Sequence, residues 1–411
     1  MATSSPLAPD ALARYADAII RTSLGVGKGD SVVVQGEPAH RELIVAVAAA
    51  AYRAGAVYVD SVVADPLVAR ARLEHGSDAA LGAVSSWAER RLRELAKPTG
   101  AYVYVAGESE PGYLDGIPPK RIATDHARTA KATRFAYVSR LNMRSRWTIA
   151  GWPTDHWAKQ VYPRLSAENG KRKLAEDLLW FCRLTDEDGK GASGWLKHVR
   201  AVTRRSERLT KLVLTGVALR GPGTDLTVRI APSTRWLGGL EETPSGVRIA
   251  PNMPTEETFT SPDARGTEGT FTCTFPLSFR GRLIRGLRGE FRGGRLVRLE
   301  ADSDDDRDFV ANYIDNDPNG RQLGEVALVD ASSRIGQSGR IYYHTLLDEN
   351  AAAHIAFGSG FGGARTGKPA RGVNRSSVHL DVMIGGPDLE VTGTDARGRA
   401  VPLIRDGLWQ I

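Results

Sequence analysis

The sequence is poor in cysteine and has no long hydrophobic run. Its 411 residues include two cysteines, Cys182 and Cys273, which excludes a secreted disulfide framework and fits a reducing compartment. The most apolar stretch, residues 43–51, is far shorter than the roughly 20 residues that cross a bilayer. The first residues lack the cationic start and apolar run of a signal peptide. We therefore expect a cytoplasmic protein with no membrane partner.

The sequence also lacks a strong excess of one charge. It contains 55 Lys and Arg against 48 Asp and Glu, a formal charge of +7. This excess is spread along the chain and forms no basic stripe or block, so nucleic acid is not an expected partner. Hydrophobic residues make up 41% and charged residues 25%, as in ordinary globular proteins. At about 150 residues per domain, the length predicts two or three domains.

The first half of the chain alternates between strand and helix patterns. The predicted elements are, in order, strand 31–35, helix 40–54, strand 57–63, helix 78–95, strand 101–105 and a mostly helical region at 121–190. A strand, a helix and a strand within so short a segment form a β-α-β unit, whose strands are parallel. We therefore predict an α/β domain with a parallel sheet over residues 1–205.

The composition changes near residues 202–205, beyond which short β runs and glycine turns dominate. The runs alternate apolar and polar residues, as half-buried antiparallel strands do, and they occupy 211–217, 225–230, 269–275 and 283–291. Helices are predicted at 305–316 and at 343–357, the second of which carries His354. The pattern predicts a second domain over residues 206–411, of the α+β class with mostly antiparallel strands.

A glycine motif near the N-terminus gives no support for nucleotide binding. Gly25, Gly27 and Gly29 have a spacing similar to a dinucleotide fingerprint. They precede the strand at 31–35, however, whereas the true motif follows a strand and opens a helix. A turn between a helix and a strand is the simpler interpretation.

Two histidines in the last part of the chain occur among acidic residues. His379 and Asp381 are separated by one residue, and on a strand such residues point to one face, where they can share a metal. His354 lies on the predicted helix after Glu349 and Asn350, which can orient a metal ligand. Taken alone, a histidine on a helix is more often packed in the core, so both interpretations stay open at this point.

Three glutamates supply further candidate ligands. Glu256 and Glu257 follow two prolines that stiffen the backbone, and Glu325 is embedded in apolar residues. A buried carboxylate requires a partner or a metal, although Glu325 taken singly also fits a helix or loop carboxylate. Two histidines and three or four carboxylates suit two divalent ions that share a bridging carboxylate and a water. A remaining carboxylate can then move the proton.

An ordered series of motifs resembles one known family. The stretches are 221–226 (GPGTDL), 235–239 (RWLGG), 251–257 (PNMPTEE) with 259–260, 323–329 (LGEVALV), 347–351 (LDENA) with His354, 379–385 (HLDVMIG) and 406–409 (DGLW), with looser matches at 55–60 and 146–158. In this order they are similar to the aminopeptidase T family of co-catalytic metallopeptidases, which includes AmpS and PepS. The similarity covers essentially the whole chain.

The resemblance implies a complete set of metal ligands. These are Glu257, Glu325, His354, His379 and Asp381. Glu256 is then the general base or a support for the ligands, and which of the two adjacent glutamates coordinates stays open. The family implies two divalent ions (Zn, Co or Mg) and a homodimer with an enclosed cavity, for which residues 1–205 supply a wall and dimer contacts. The expected substrates are peptides or amino-acid amides, whose N-terminal residue is released by a metal-bridged water.

One position departs from the family pattern. The pattern places a Tyr seven residues after the metal-binding His354, where this chain has Phe361. Phe has no O–H to donate to an oxyanion, and losing such a donor costs about a hundredfold or more in rate. Tyr342 or Tyr343 would have to replace it. We expect Phe361, Tyr343 and Trp236 to line the substrate cavity, with core packing as the alternative for Trp236.

Two other functions stay open from the sequence. His354, His379 and Asp381 match the two-histidine, one-carboxylate triad of non-haem iron oxygenases, and a ring-cleaving pyridine-diol dioxygenase class is similar to this family. The two additional glutamates favour the hydrolase. A non-catalytic peptide-binding descendant is disfavoured, because it has no physical reason to keep buried carboxylates beside two histidines.

Overall fold

The chain forms two compact units. The computed structural model describes residues 5–110, 112–189, 191–231, 234–280, 282–361 and 371–411. The first unit comprises Met1–His198 with Leu240–Met253, and the second comprises Val199–Gly239 with Pro254–Ile411. These units differ from a single boundary at residue 205, because the segment Leu240–Met253 contributes a strand to the sheet of the first unit.

Helices are concentrated in the first half of the chain. In chain order they are α1 (Pro9–Asp17), α2 (Arg41–Ala54), α3 (Pro66–His75), α4 (Ser86–Leu95), α5 (Pro119–Leu141), α6 (Asp155–Val161), α7 (Ala167–Phe181), α8 (Ser193–Lys211), α9 (Asp304–Asp315), α10 (Arg334–Gln337) and α11 (Thr345–Asp348). A π-helix (Ala18–Ser23) continues α1, and a 3-10 turn (Glu349–Ala351) continues α11. None of these helices is long and apolar enough to span a bilayer.

Strands are concentrated in the second half. In chain order they are β1 (Ser31–Gly36), β2 (Tyr58–Val63), β3 (Gly100–Ala106), β4 (Arg146–Gly151), β5 (Gly216–Gly221), β6 (Thr224–Ile230), β7 (Glu241–Glu242), β8 (Arg248–Ile249), β9 (Asn252–Met253), β10 (Thr258–Thr260), β11 (Pro262–Thr272), β12 (Leu277–Phe279), β13 (Arg282–Ile284), β14 (Arg288–Arg292), β15 (Arg295–Glu300), β16 (Leu323–Leu328), β17 (His354–Gly358), β18 (His379–Met383), β19 (Glu390–Thr394), β20 (Ala400–Arg405) and β21 (Leu408–Trp409). They form separate sheets in the two units.

A parallel sheet organises the first unit. Its strand order is β2-β1-β3-β4-β9, and each neighbouring pair is parallel, which confirms the predicted fold class. Val32, Val34 and Val103 form its buried centre and have no exposed surface. Helix α2 connects β1 to β2 and ends at Gly55, whose φ of 102° lies in a region that side chains disfavour.

The structure differs from two helix predictions in this unit. The helix predicted at 78–95 begins only at Ser86, because Ser85 accepts a hydrogen bond from the backbone N of Ala88 and caps the helix. The region predicted as mostly helical at 121–190 contains the strand β4. A short apolar run cannot be distinguished from a helix by its periodicity, so this strand was not visible in the sequence.

Antiparallel strands organise the second unit, as predicted. The larger sheet has the order β15-β14-β11-β6-β5-β19-β20-β21, and a smaller sheet has the order β10-β16-β17-β18. Each sheet buries one face in a shared hydrophobic core, to which Val217 and Leu226 contribute from the larger sheet and Val326 and Ile355 from the smaller one. The smaller sheet thus has a second face that points away from this core.

The predicted helix at 343–357 is wrong for most of its length. Only Thr345–Asp348 is α-helical, Glu349–Ala351 is a 3-10 turn, and His354 begins strand β17. The alanines at 351–353 favour a helix in isolation. Residues 354–358 are buried throughout and pair with β16 on one side and β18 on the other. These long-range pairings override the local preference.

Candidate metal centre

The smaller sheet of the second unit separates apolar from polar side chains by its two faces. Alternate residues of a strand point to opposite faces. The core cluster receives Val326, Leu328, Ile355, Phe357, Leu380 and Val382. The other face of the same three strands carries Glu325, His354, His379 and Asp381, each next in sequence to one of these core residues. The polar residues therefore stand on one common face because the sheet alternates.

A bulge at Gly324 turns Glu325 toward this polar face. Leu323 pairs with Phe357, and Glu325 pairs with Ala356. The two partners on β17 are adjacent in sequence, whereas Leu323 and Glu325 on β16 are separated by Gly324, which is the extra residue of the bulge. Leu323 therefore belongs to the core face and Glu325 to the opposite one. A Cβ on Gly324 would lie 2.2 Å from the backbone O of Ser359, so the bulge requires glycine.

Small residues leave room above the centre of the polar face. Glu325, Ala356 and Asp381 lie opposite one another in a single cross-strand row. In the neighbouring rows, His354 pairs with Ala327 and Met383, and His379 pairs with Gly358. Strand β17, which lies between β16 and β18, has the small residues Ala356 and Gly358 at these positions. Because these residues fill little space, the donor atoms of Glu325, His379 and Asp381 can approach one another above them.

The five residues that the family resemblance implies as ligands form two overlapping sets. Glu257, Glu325 and His354 make one set, and Glu325, His379 and Asp381 make the other, with donor atoms within 4.8 Å of one another in each. Nε2 of His354 lies 3.2 Å from the Glu257 carboxylate, and Nε2 of His379 lies 3.4 Å from Glu325 and 3.3 Å from Asp381. Glu325 belongs to both sets.

Asn350 fixes the position of the glutamate pair. Its Oδ1 accepts hydrogen bonds from the backbone N of Glu256 (2.7 Å) and of Glu257 (3.3 Å), and its Nδ2 donates to the backbone O of Leu346 (3.0 Å). Asn350 is fully buried. Of the two adjacent glutamates, Glu257 belongs to a donor set, whereas the charge of Glu256 acts on the guanidinium of Arg205.

Both histidines present Nε2 to the carboxylates. The Nδ1 of His354 lies 3.3 Å from the backbone O of Ala352, and that of His379 lies 3.0 Å from the backbone O of Ser359. A carbonyl accepts a hydrogen bond, so Nδ1 carries the proton in the neutral ring and Nε2 keeps its lone pair. This is the usual arrangement of a metal-binding histidine.

The pKa values of Glu325, Glu349 and His354 are shifted by burial and by the negative charges that lie close together here. Burial raises the pKa of Glu325 to about 7, with Glu257 and Asp381 adding to this and the hydrogen bond from His379 opposing it. Burial and the charges of Glu257 and Asp381 raise the pKa of Glu349 well above its usual range. Burial lowers the pKa of His354, but the hydrogen bond to Glu257 and the charges of Glu257, Glu325 and Asp381 together raise it to about 10. Divalent cations fit such a donor set, since they compensate the charge that these histidines otherwise offset.

Phe361 lies against His379. The ring centroids are 5.6 Å apart with an edge-on geometry, and Phe361 also contacts Phe259, with 4.9 Å between centroids. Phe259 pairs with Ala327 and so stands on the polar face of the sheet. Phe259 is not among the candidate site residues named from the sequence, because the short strand β10 that places it on this face was not predicted.

The other two candidate cavity residues lie in different surroundings. Trp236 is packed in the hydrophobic core with 4% of its surface exposed, in agreement with the core alternative. Tyr343 is half-buried and has a φ of 55°. It lies in a turn where Asp348 accepts hydrogen bonds from the backbone N of Tyr342 (2.7 Å) and of His344 (3.0 Å). Tyr342 is fully buried.

Known proteins are similar to this chain in sequence and architecture. A model of the thermophilic metalloprotease family (M29) matches residues 9–409. Aminopeptidase T of Thermus aquaticus is 33% identical over 406 residues, which cover 97% of this chain and 98% of that protein. Wild-type AmpT from Thermus thermophilus has a TM-score of 0.89 at 31% identity over 98% of this chain and 99% of that one.

A more distant structure shares only the fold. The 2,5-dihydroxypyridine dioxygenase from Pseudomonas putida has a TM-score of 0.53 at 13% identity, over 97% of this chain and 98% of that chain. The same architecture therefore occurs in a protein named for different chemistry, and the side chains of the site have to distinguish the two.

Proposed function

The chain belongs to the thermophilic metalloprotease family, and we propose that it is a metal-dependent aminopeptidase, a hydrolase that removes N-terminal residues from peptides or related amides. Full-length relatives that bear the name aminopeptidase support this proposal. The observation that carries it is the pair of donor sets that share Glu325.

Five residues would hold two divalent ions. Glu257 and His354 would hold one ion, His379 and Asp381 the other, and Glu325 would bridge them. Two ions sharing a carboxylate supply an activated water at neutral pH and polarise the carbonyl of the peptide bond. The ion is zinc, cobalt or magnesium in this proposal, and the chain's own contribution is to fix the five donors before the ions bind.

Two further carboxylates are candidates to move the proton. Glu256 is held by the hydrogen bond from its backbone N to Asn350, and Glu349 lies among the charges of Glu257, Asp381, His354 and Glu325. We assign general-base chemistry to Glu256, as the resemblance implies, with Glu349 as the second position for it. Phe361 supplies no hydroxyl to stabilise an oxyanion, so position 361 makes no polar contribution to the reaction in this chain.

The remaining parts of the proposal concern the whole protein. We place it in the cytoplasm as a homodimer, in which the first unit supplies dimer contacts and a wall of the cavity that holds the peptide. The small number of cysteines supports the compartment, and the family resemblance supports the homodimer.

Metal reconstitution tests the proposed activity. The protein is stripped with a chelator and reloaded with zinc, cobalt, magnesium or ferrous iron, and metal per chain and hydrolysis of aminoacyl nitroanilides are measured. We expect two ions per chain and restored hydrolysis, and Glu325→Gln should lose both. Glu290→Gln, at a distant exposed ion pair, should retain both. A protein that binds metal but hydrolyses no substrate with any of them would refute the peptidase.

The oxygenase alternative is less well supported by the geometry. Its triad would combine His354, His379 and Asp381, but His354 belongs to one donor set and the other two belong to the second. One iron per chain with oxygen uptake on a dihydroxypyridine would favour the oxygenase. If instead His379→Ala left the protein's biological role unchanged, a non-catalytic scaffold would be the better description.

A further inference from the structure

The five donor side chains differ in their access to solvent. His379 keeps 30% of its side chain exposed, whereas the others keep between 1% and 10%. Glu257, Glu325 and His354 are thus enclosed by the protein. A substrate must therefore approach the donors from the side of His379.

Two phenylalanine rings flank this open side. Phe361 meets the ring of His379 edge-on, and Phe259 packs against Phe361. Both phenylalanines are only half-buried, like His379 itself. We call Phe259 and Phe361 the aromatic wall. The aromatic wall places apolar surface directly beside His379, the most exposed of the five donors.

Backbone hydrogen bonds hold the aromatic wall in position. The backbone N and O of Phe259 bond to the O and N of Leu237, at 2.9 and 2.8 Å. The hydroxyl of Ser261 accepts from the backbone N of Phe361 at 2.8 Å and donates to its O at 3.2 Å. The backbone at both residues is thus fixed, and the two rings pack against each other. A surface that is in place before binding lowers the entropy cost of binding against it.

We propose that the aromatic wall binds an apolar side chain of the substrate next to the scissile bond and so gives the enzyme a preference for bulky apolar residues. This inference rests on the proposed peptidase function. A hydroxyl at position 361 would present a polar atom toward the open side, whereas Phe361 keeps the surface uniformly apolar. Apolar contacts of this size discriminate between substrates by about 10- to 200-fold.

Specificity ratios test the proposal. The metal-loaded enzyme is assayed with Phe-, Leu-, Ala- and Lys-nitroanilides for the N-terminal residue, and with Ala-Phe and Ala-Ala for the residue after it. We expect kcat/KM to favour the apolar substrate at one of these positions. Phe361→Ala and Phe259→Ala should each reduce that preference about tenfold or more, with a smaller loss in Phe361→Leu.

An aromatic residue outside the aromatic wall provides the matched control. Phe309 is also half-buried and contacts Phe279, with 6.0 Å between centroids. Phe309→Ala should leave the specificity ratio unchanged. Unchanged ratios at both substrate positions in folded Phe361→Ala and Phe259→Ala, or in Phe361→Leu if either fails to fold, would overturn the proposal.

Ligand binding separates this proposal from the peptidase activity. Calorimetry of the metal-loaded protein with free phenylalanine and alanine should show tighter binding of phenylalanine, and Phe361→Ala should abolish the difference. If no peptide is hydrolysed but phenylalanine still binds more tightly, the proposed function fails and the aromatic wall stands. If phenylalanine and alanine bind equally well, and the kcat/KM ratios of the active Phe361 and Phe259 variants are unchanged, the aromatic wall does not bind the substrate.

Discussion

A single amide side chain, that of Asn350, aligns the backbone of Glu256 and Glu257. Asn350→Ala would leave two buried N–H groups without this acceptor, and an unsatisfied buried donor costs about 1–3 kcal/mol. Substitution of a residue that hydrogen-bonds to a metal ligand typically weakens metal binding by about 10- to 100-fold. We therefore expect a loss in this range when the chelator-stripped variant is titrated with cobalt. Asn316→Ala, at an exposed helix end, is the control, and unchanged affinity in a folded Asn350→Ala protein would contradict the role.

At the same scale, His40 in the first unit gives the protein a pH dependence that is independent of metal. Its Nδ1 accepts from the backbone N of Glu37 (3.0 Å), and its Nε2 lies 2.8 Å from the backbone O of Gly107. Burial lowers the pKa of His40 to about 4 from its usual 6.5. Between pH 6.5 and pH 4, His40 is therefore protonated in the unfolded chain and neutral in the folded one. Up to about 3 kcal/mol of the free energy of unfolding is lost as the pH falls from 7 to 4.

Thermal midpoints check this dependence on His40. The decrease in midpoint between pH 7 and pH 4.5 should be smaller in His40→Gln than in the unchanged protein. His75→Gln, at a side chain with 80% exposure, should show the full decrease. Equal decreases in all three proteins would show that His40 does not carry the effect.

Among the elements, strand β16 depends on its bulge for the position of Glu325. In Gly324→Ala the new methyl group would meet the backbone O of Ser359 and of Gly358, at 2.2 and 2.5 Å. Relieving such overlap typically costs about 1–3 kcal/mol and would shift Glu325. We expect a lower thermal midpoint and fewer than two ions per chain, measured by elemental analysis. Gly386→Ala, where a Cβ meets nothing within 4 Å, should change neither.

The same elements show what the sequence can and cannot predict. The parallel sheet of the first unit follows from the β-α-β pattern, because β1, α2 and β2 are contiguous in the chain. The placement of His354 on a helix fails, because residues 351–353 favour a helix locally and only the pairing of β17 with β16 and β18 makes a strand. The donor residues themselves were visible through their types and the family resemblance. Phe259, Ser261 and the bulge matter only through contacts between distant segments, so no local pattern marks them.

For the whole molecule, metal removal should be destabilising. The cluster buries three carboxylates that the two histidines must offset without an ion, and an uncompensated buried charge is costly. We expect a chelator to lower the thermal midpoint and added metal to restore it. In the stripped state, Glu325→Gln should be at least as stable as the unchanged protein, because it removes one of the crowded charges. A stripped protein that melts at the same temperature as the loaded one would contradict this account.

The arrangement of donors over β10, β16, β17 and β18 also bears on how the protein folds. Glu257 precedes β10 and Asp381 lies on β18, so the first donor leaves the ribosome long before the last. Contacts between such distant segments form slowly, because the intervening chain must close a loop first. A donor set with the shared Glu325 exists only once these strands have paired. Metal uptake would then mark the completion of folding, and a nascent chain released before residue 381 would bind no pair of ions.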